Sequence, residues 1–363
     1  MIGEYSLFIM NKILFLRLKI LLMKKRRNII IISILIVIFA IIAAFVARKT
    51  VFFTPNATFS TLIIPKNATF NQVVDSLTNK NIVKNIQTFK LASKILNYDR
   101  HVMRGRYEIK ANETNYQLIK KLRKGQHYPV TFTFNNVRTM SDFIQKTDKK
   151  FLFSAFELQK LLENEHFLTS LGFNQETLPA LFIPNTYQIY YDIDAEEFVE
   201  KFETFYQQFW NEKRLQQAGA IALTPNEVTT LASIVEEENY KEFEKPIIAG
   251  VYLNRLRIGM RLQADPTVKF AVGDVTLKRI LYNHLETNSP YNTYKYAGLP
   301  PGPIRFPAPS TIDSVLHYTK HNYLYMCAKE DFSGEHNFAE TLSEHERNAT
   351  KYRNALNKLK IKN

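Results

Sequence analysis

A chain of 363 residues, 45% of them hydrophobic, is long enough for two folded units and an appendage. Its single cysteine, Cys327, excludes an internal disulfide network and a cysteine-rich metal site. The net charge of +14 does not mark a nucleic-acid binder: nine Lys and Arg against one acid, Glu4, fall in the first fifty residues, and the remainder is only mildly basic.

Ile29 to Ala47 has no charge, Gly or Pro, and its roughly 19 residues at about 1.5 Å each nearly span a hydrocarbon core. Lys24, Lys25, Arg26 and Arg27 precede it and only Arg48 and Lys49 follow. A transmembrane helix over 29–47 is therefore expected, with residues 1–28 a basic cytoplasmic segment and everything after residue 50 outside. A cleaved signal peptide shares the basic flank, but its apolar region is shorter and AAFVARKT is a mediocre cleavage site, so a retained anchor is the expectation. The stretch before Met23 reads poorly as a domain, and Met23 would give the compact start MKKRRN; translation is expected from one or the other methionine.

After a polar connector, a strand–turn–helix pattern recurs. STLIIPKNATFNQVVDSL gives a strand, a turn and a helix with Phe70, Val73, Val74 and Leu77 at helical spacing. GRYEIKANETNYQLIKKLRKG repeats it, with Tyr116, Ile119 and Leu122 inward and Gly125 as a stop, and TFTFNNVRTMSDFIQKT is a weaker third echo. Residues 151–214 read as mostly helical, interrupted by ALFIPNTYQIYYDID, which fits a buried strand with a turn. Thr224, Pro225 and Glu227 then form a helix start with a capping box, and a second helix begins at Pro246 and stops at Gly259. The segments MRLQADPTVKFAVG, SPYNTYKYAGLPPGPIRFPAPS and EHNFAETLSEH beyond it read as long polar-aromatic loops of the kind that carry function.

LASIVEEENY closes the first of these helices with three glutamates. Val228, Leu231, Ala232 and Val235 define an inward face. At roughly 100° per residue, Glu237 points about 180° from that face, into water, while Glu236 and Glu238 lie at the two margins, about 160° apart. A margin carboxyl can be sheltered enough to keep a proton. A free Glu near 4.3 is protonated only about one part in 500 at pH 7; a pKa about two higher makes that about one in six, at a cost of roughly 2.7 kcal/mol. Two carboxyls pointing apart suit a conventional glycosidase pair poorly, so one of them would carry the chemistry. No GxGxxG, Walker A, HExxH or GxSxG motif is present. His336 could orient a ligand or be structural. LPPGPIRFP reads as a rigid loop beside a cleft, and the residues Tyr291, Asn292, Thr293 and Tyr294 either meet sugars or pack a turn.

LASIVEEE, IIAGVYLNRLRIGMRLQADPTVKFAVG, SPYNTYKYAGLPPGPI and FIPNTY together resemble the YceG-like family of endolytic murein transglycosylases, and the resemblance covers nearly everything after Met23. It implies an α+β chain with a single N-terminal transmembrane helix, a small LysM-like βα module at 55–127, a larger catalytic domain at 128–350 and a basic tail at 351–363. The implied reaction is cleavage of the β-1,4 bond between N-acetylmuramic acid and N-acetylglucosamine of nascent peptidoglycan without water, at the cytoplasmic membrane and with no cofactor. The implied partners are glycan strands and peptidoglycan synthases. The family's catalytic Glu falls on Glu236 and its neighbouring acidic position on Glu238. Cleft positions fall on Gln263, Asp265 and Thr267, on Tyr291, Asn292, Thr293 and Tyr294, and on Asn185 and Tyr187. Asn185, Asn239 and Ala264 stand where the family often has Asp, Thr and Thr.

Overall fold

The computed structural model describes residues 2–53, 59–274, 277 and 280–362. Two compact units divide the chain, Met1–Tyr128 and Pro129–Asn363.

In the first unit, α1 (Ile2–Phe52) is one continuous helix. Its Lys19–Phe52 portion is long and apolar enough to cross a membrane, and the apolar stretch is not buried against protein. At its C-terminal end Val51 and Phe52 pack on a small core, and the Val51 carbonyl accepts a 3.0 Å bond from Asn115 Nδ2. That core belongs to β1 (Ser60–Ile64), α2 (Phe70–Asn79), α3 (Ile86–Ile95), β2 (Gly105–Ile109) and α4 (Asn115–Arg123). The two strands pair antiparallel, Ser60 opposite Ile109, and turn Leu62, Ile64, Tyr107 and Ile109 inward. Both strand–helix repeats start their helices with the same device, a Thr–Gln capping box at Thr69 and Gln72 and again at Thr114 and Gln117. The expected inner face of α4 is shifted, because Asn115, Leu118, Ile119 and Leu122 form its buried stripe and Tyr116 stays exposed.

The second unit opens with β3 (Pro129–Phe134), α5 (Met140–Thr147), α6 (Ala155–Leu162), α7 (Glu165–Ser170), a 3-10 turn at Leu178–Leu181, β4 (Asn185–Tyr190) and α8 (Ala195–Phe209). The third strand–helix echo does not extend the first sheet: β3 pairs antiparallel with β4, Phe132 opposite Tyr187 and Phe134 opposite Asn185. Phe132, Phe134, Phe143, Phe198 and Phe202 fill the space between this strand pair and the helices, with ring centroids 4.9 Å apart for Phe134–Phe143 and for Phe198–Phe202.

A second core gathers α9 (Glu212–Ala220), α10 (Pro225–Glu238), α11 (Lys245–Arg257), α12 (Asp265–Val272) and α14 (Pro309–Leu316), while the short α13 (Tyr282–Leu285) buries none of its residues. Every residue of α10 from Val228 to Val235 is buried. A helix covered on all sides is a central one, and its polar positions must find partners within the protein. Thr229, Thr230 and Ser233 accordingly donate to carbonyls of α10 itself. The hairpin β5 (Tyr325–Ala328) and β6 (His336–Ala339) and the helix α15 (Leu342–Lys362) complete the unit. Three stretches expected as loop or tail are thus ordered: DPTVKFAV is α12, capped by Gly273 at φ 80, HNFA is β6, and residues 351–362 continue α15.

Candidate active site

The end of α10 sets the site. Thr224 and Glu227 cap its start reciprocally with Pro225 in the first turn, and the helix stops where Asn239 leaves for extended backbone at φ −148. Asn239 is held there by donating from Nδ2 to the buried Glu244 and to the Gly334 carbonyl at 3.0 Å. The three glutamates therefore project from a fixed helix end, Glu236 and Glu237 both reaching Arg305 and Glu238 reaching Tyr252.

Glu236 turns to the N-terminus of α14. Its Oε2 accepts two bonds of 2.7 Å, one from the Ala308 backbone N–H and one from the Thr311 hydroxyl, while Oε1 lies 3.5 Å from Arg305 Nη2. Thr311 is fully buried and accepts a 2.9 Å bond from the buried Lys245 Nζ. Glu237 corrects the expectation of a water-facing side chain. It is paired with Arg305, and with Arg138 at 3.1 Å, because the loops carrying these arginines cover the face of α10 that periodicity assigns to solvent. Arg305 also donates 2.7 Å to Asn136 Oδ1, and the next residue, Phe306, anchors the loop in the aromatic core. Glu237, Arg138, Pro266 and Ile304 border a small hollow beside this cluster.

Glu238 faces the other way. Its Oε1 accepts a 2.6 Å bond from the Tyr252 hydroxyl. Burial pushes its carboxyl above the usual range, the Tyr252 bond opposes that, and the Asp265 carboxylate adds to it. Tyr252, whose own hydroxyl is raised by burial and by Glu238, stands on α11 beside Arg255, which donates to the carbonyls of Leu324 and Leu262 and ties α11 to the β5–β6 hairpin. Asp265, exposed at the start of α12, accepts 2.7 Å from the Tyr294 hydroxyl.

The remaining expected positions divide by exposure. Gln263 is exposed at φ 48, its N–H donating to the Thr293 carbonyl at 3.1 Å. Thr267, Asn292 and Thr293 are buried and bonded inward: Thr267 Oγ1 and Thr293 Oγ1 are 2.8 Å apart, and Asn292 Nδ2 donates to the carbonyls of Leu285 and Thr287. They hold Asp265 and Tyr294 in place rather than present themselves to a ligand. Tyr291 packs on Phe270 at 4.6 Å, and burial pushes its hydroxyl up to about 12. Tyr187 is a core residue, bonded to the Ile183 carbonyl and stacked on Phe205, whereas Asn185 lies exposed at the first position of β4. His336 is structural in its contacts, with Nδ1 2.9 Å from Glu244 Oε2. Arg305, Thr311, Tyr252 and Lys245 were not anticipated. The one signal for Arg305 is its position as the sole charge inside LPPGPIRFPAP.

The model of the YceG-like family matches residues 62–351. The chain belongs to the YceG-like family. A stretch of 132 residues, 36% of this chain and 36% of the relative, is 44% identical to an endolytic murein transglycosylase of Bacillus subtilis. Over 332 residues, 82% of this chain and 59% of the relative, it is 25% identical to an endolytic murein transglycosylase of Streptococcus pneumoniae. The chain thus spans between about a third and three fifths of the length of these relatives. A crystal structure of a YceG-like protein from Listeria monocytogenes superposes with a TM-score of 0.52 at 26% identity, covering 80% of this chain and 98% of that one.

Proposed function

We propose that the chain is an endolytic lytic transglycosylase of peptidoglycan, anchored in the cytoplasmic membrane by α1 with the second unit facing the wall. The observation that carries this reading is the setting of Glu236: one carboxylate oxygen is held by two neutral donors, and the other, 3.5 Å from Arg305 Nη2, is the one available to carry the transferred proton. In the proposed reaction, protonated Glu236 gives its proton to the glycosidic oxygen as the bond from C1 of the muramic acid breaks. The C6 hydroxyl of the same sugar then attacks C1 and returns its proton to Glu236, closing a 1,6-anhydro ring. No water is consumed and the acid is regenerated, so one carboxyl serves both steps; the tethered nucleophile supplies the proximity. The exposed Asp265, oriented by Tyr294, and the more sheltered Glu238, oriented by Tyr252, offer hydrogen-bonding groups for sugar hydroxyl and acetamide positions. The β1–α2–α3–β2 unit fits a LysM-like glycan-binding role, and peptidoglycan synthases supplying nascent strands are the partners proposed.

Glycan strands digested by the purified protein and resolved by mass spectrometry test the reading. Ends lighter by one water than reducing muramic acid are expected, and the Glu236→Gln variant should form them roughly 10²–10⁴-fold more slowly. Reducing ends alone would assign a hydrolase instead, and equal activity of the variant and the parent would remove Glu236 from the chemistry.

A further inference from the structure

The first residue of α11 is a lysine in a poor place for one. Lys245 is 3% exposed, although Lys is rarely buried without pairing, and it sits at the N-terminal end of a helix, where the backbone dipole disfavours a cation. Its ion-pair partner among the described residues, Glu242, lies 2.6 Å away with a side chain that is 63% exposed, so that pair is largely solvated. The other bond of Lys245 runs inward, to Thr311.

The direction of that bond is settled by chemistry. An ammonium has only donors, so Thr311 Oγ1 must accept from Lys245, and the single hydroxyl proton of Thr311 remains for Glu236 Oε2. The Ala308 N–H occupies the same carboxylate oxygen from the backbone. Oε2 thus meets two donors and no acceptor. From this chain, Lys245 to Thr311 to Glu236, we infer that Lys245 is a positioning residue for the proposed reaction: it fixes the polarity of the Thr311 hydroxyl, which makes Oε2 a permanent acceptor and confines the transferable proton to Oε1.

The inference rests on Glu236 being the acid. Charged groups also reach Glu236 from other elements. Arg305 approaches Oε1, Glu237 and Glu238 flank it on α10, and Arg138 bonds Glu237. On α14, Asp313 is committed to Arg214 at 2.9 Å. None of these donates to Thr311 in the structure.

The test compares Lys245→Met, Thr311→Val, Thr311→Ser and Glu236→Gln in the full-length protein, reading anhydro-product formation against pH. Met keeps the volume of Lys while removing the charge, and melting temperature reports whether the fold is kept. Lys245→Met and Thr311→Val are expected to lower kcat roughly 10- to 100-fold with little change in KM, Thr311→Ser to restore most of the rate. Both losing variants should also move the alkaline limb of the profile upward by about one pH unit, because a donor and a cation that favour the carboxylate have been withdrawn. The inference is overturned if Lys245→Met keeps both the rate and the limb of the parent while Glu236→Gln is inactive, which leaves the reading of Glu236 standing. A loss of rate with an unmoved limb and a lowered melting temperature assigns Lys245 a packing role and also overturns it. Full activity of Glu236→Gln removes the underlying reading itself.

Discussion

The fold works against the charge on Glu238, and that has a thermodynamic consequence separate from catalysis. Burial is the largest influence on this carboxyl, with the Tyr252 bond opposing it and Asp265 reinforcing it, and the net direction is upward from 4.5. A carboxyl with a folded-state pKa above its unfolded value binds its proton more tightly in the folded state. Its contribution is therefore most favourable below about pH 4.5 and is lost as pH rises through the raised folded value. Glu238→Gln, which can still accept from Tyr252, removes that loss. The variant is expected to melt higher than the parent at pH 7, by about 2–4 °C for each kcal/mol recovered, and to melt at the same temperature near pH 4. Thermal melts at the two pH values check it; a variant no more stable at pH 7 would mean the Glu238 carboxylate is compensated by its neighbours. The same pair of glutamates shows the limit of periodicity. Its angles place Glu236 and Glu238 on opposite margins, and they do face separate clusters, but the angle alone has no means of knowing that Arg138 and Arg305 cover the side given to Glu237.

At the scale of elements, the loop from 298 to 308 carries the site, and Gly302 fixes how closely it packs. A Cβ at this position would lie 1.9 Å from the Glu176 carbonyl oxygen and 2.5 Å from its carbon, both backbone atoms that cannot swing aside. Gly302→Ala must therefore push the loop outward, and Arg305 with it, three residues on. A loss of roughly 1–3 kcal/mol is expected from overpacking, with a fall in anhydro-product formation even at temperatures where the variant is fully folded. Chemical denaturation and activity measured on the same preparation check it; normal activity would show that the Arg305 contacts survive the displacement. Signals local in the chain, unlike this contact, decide what was legible. The capping box at Thr224 and the Gly259 stop announce helix ends because the partners lie within three residues in the chain. The pairing of β3 with β4 and the Lys245–Thr311 bond join residues 50 or more apart, and the inward stacking of Tyr187 on Phe205 joins a strand to a separate helix, so no local pattern encodes them. The helix α12 differs from the expected loop because DPTVKFAV is short and follows a loop, although Pro266 and Gly273 bracket it as start and stop signals do.

For the whole molecule, the proposed function depends on which side of a membrane the second unit would occupy, and the flanking charges of α1 bear on it. Lys24, Lys25, Arg26 and Arg27 stand before the apolar stretch against Arg48 and Lys49 after it, a difference that holds the N-terminal side in the cytoplasm if α1 spans the bilayer. The single native cysteine is poorly suited to report this, since Cys327 is only partly accessible and burial raises its thiol, which lowers the reactive thiolate fraction. A Cys327→Ser background with Tyr282→Cys supplies a unique thiol at a side chain that is 90% exposed. In intact cells a membrane-impermeant maleimide should label this residue to the same extent as after the membrane is opened. Replacing Lys12, Arg17, Lys19, Lys24, Lys25, Arg26 and Arg27 by Gln reverses the charge difference across the helix, so labelling in intact cells should fall while labelling in opened cells stays constant. Equal labelling of both forms would show that the flanking charges do not set the orientation. Absence of labelling in intact cells for the unaltered flank would place the second unit in the cytoplasm, where no glycan strand could reach Glu236.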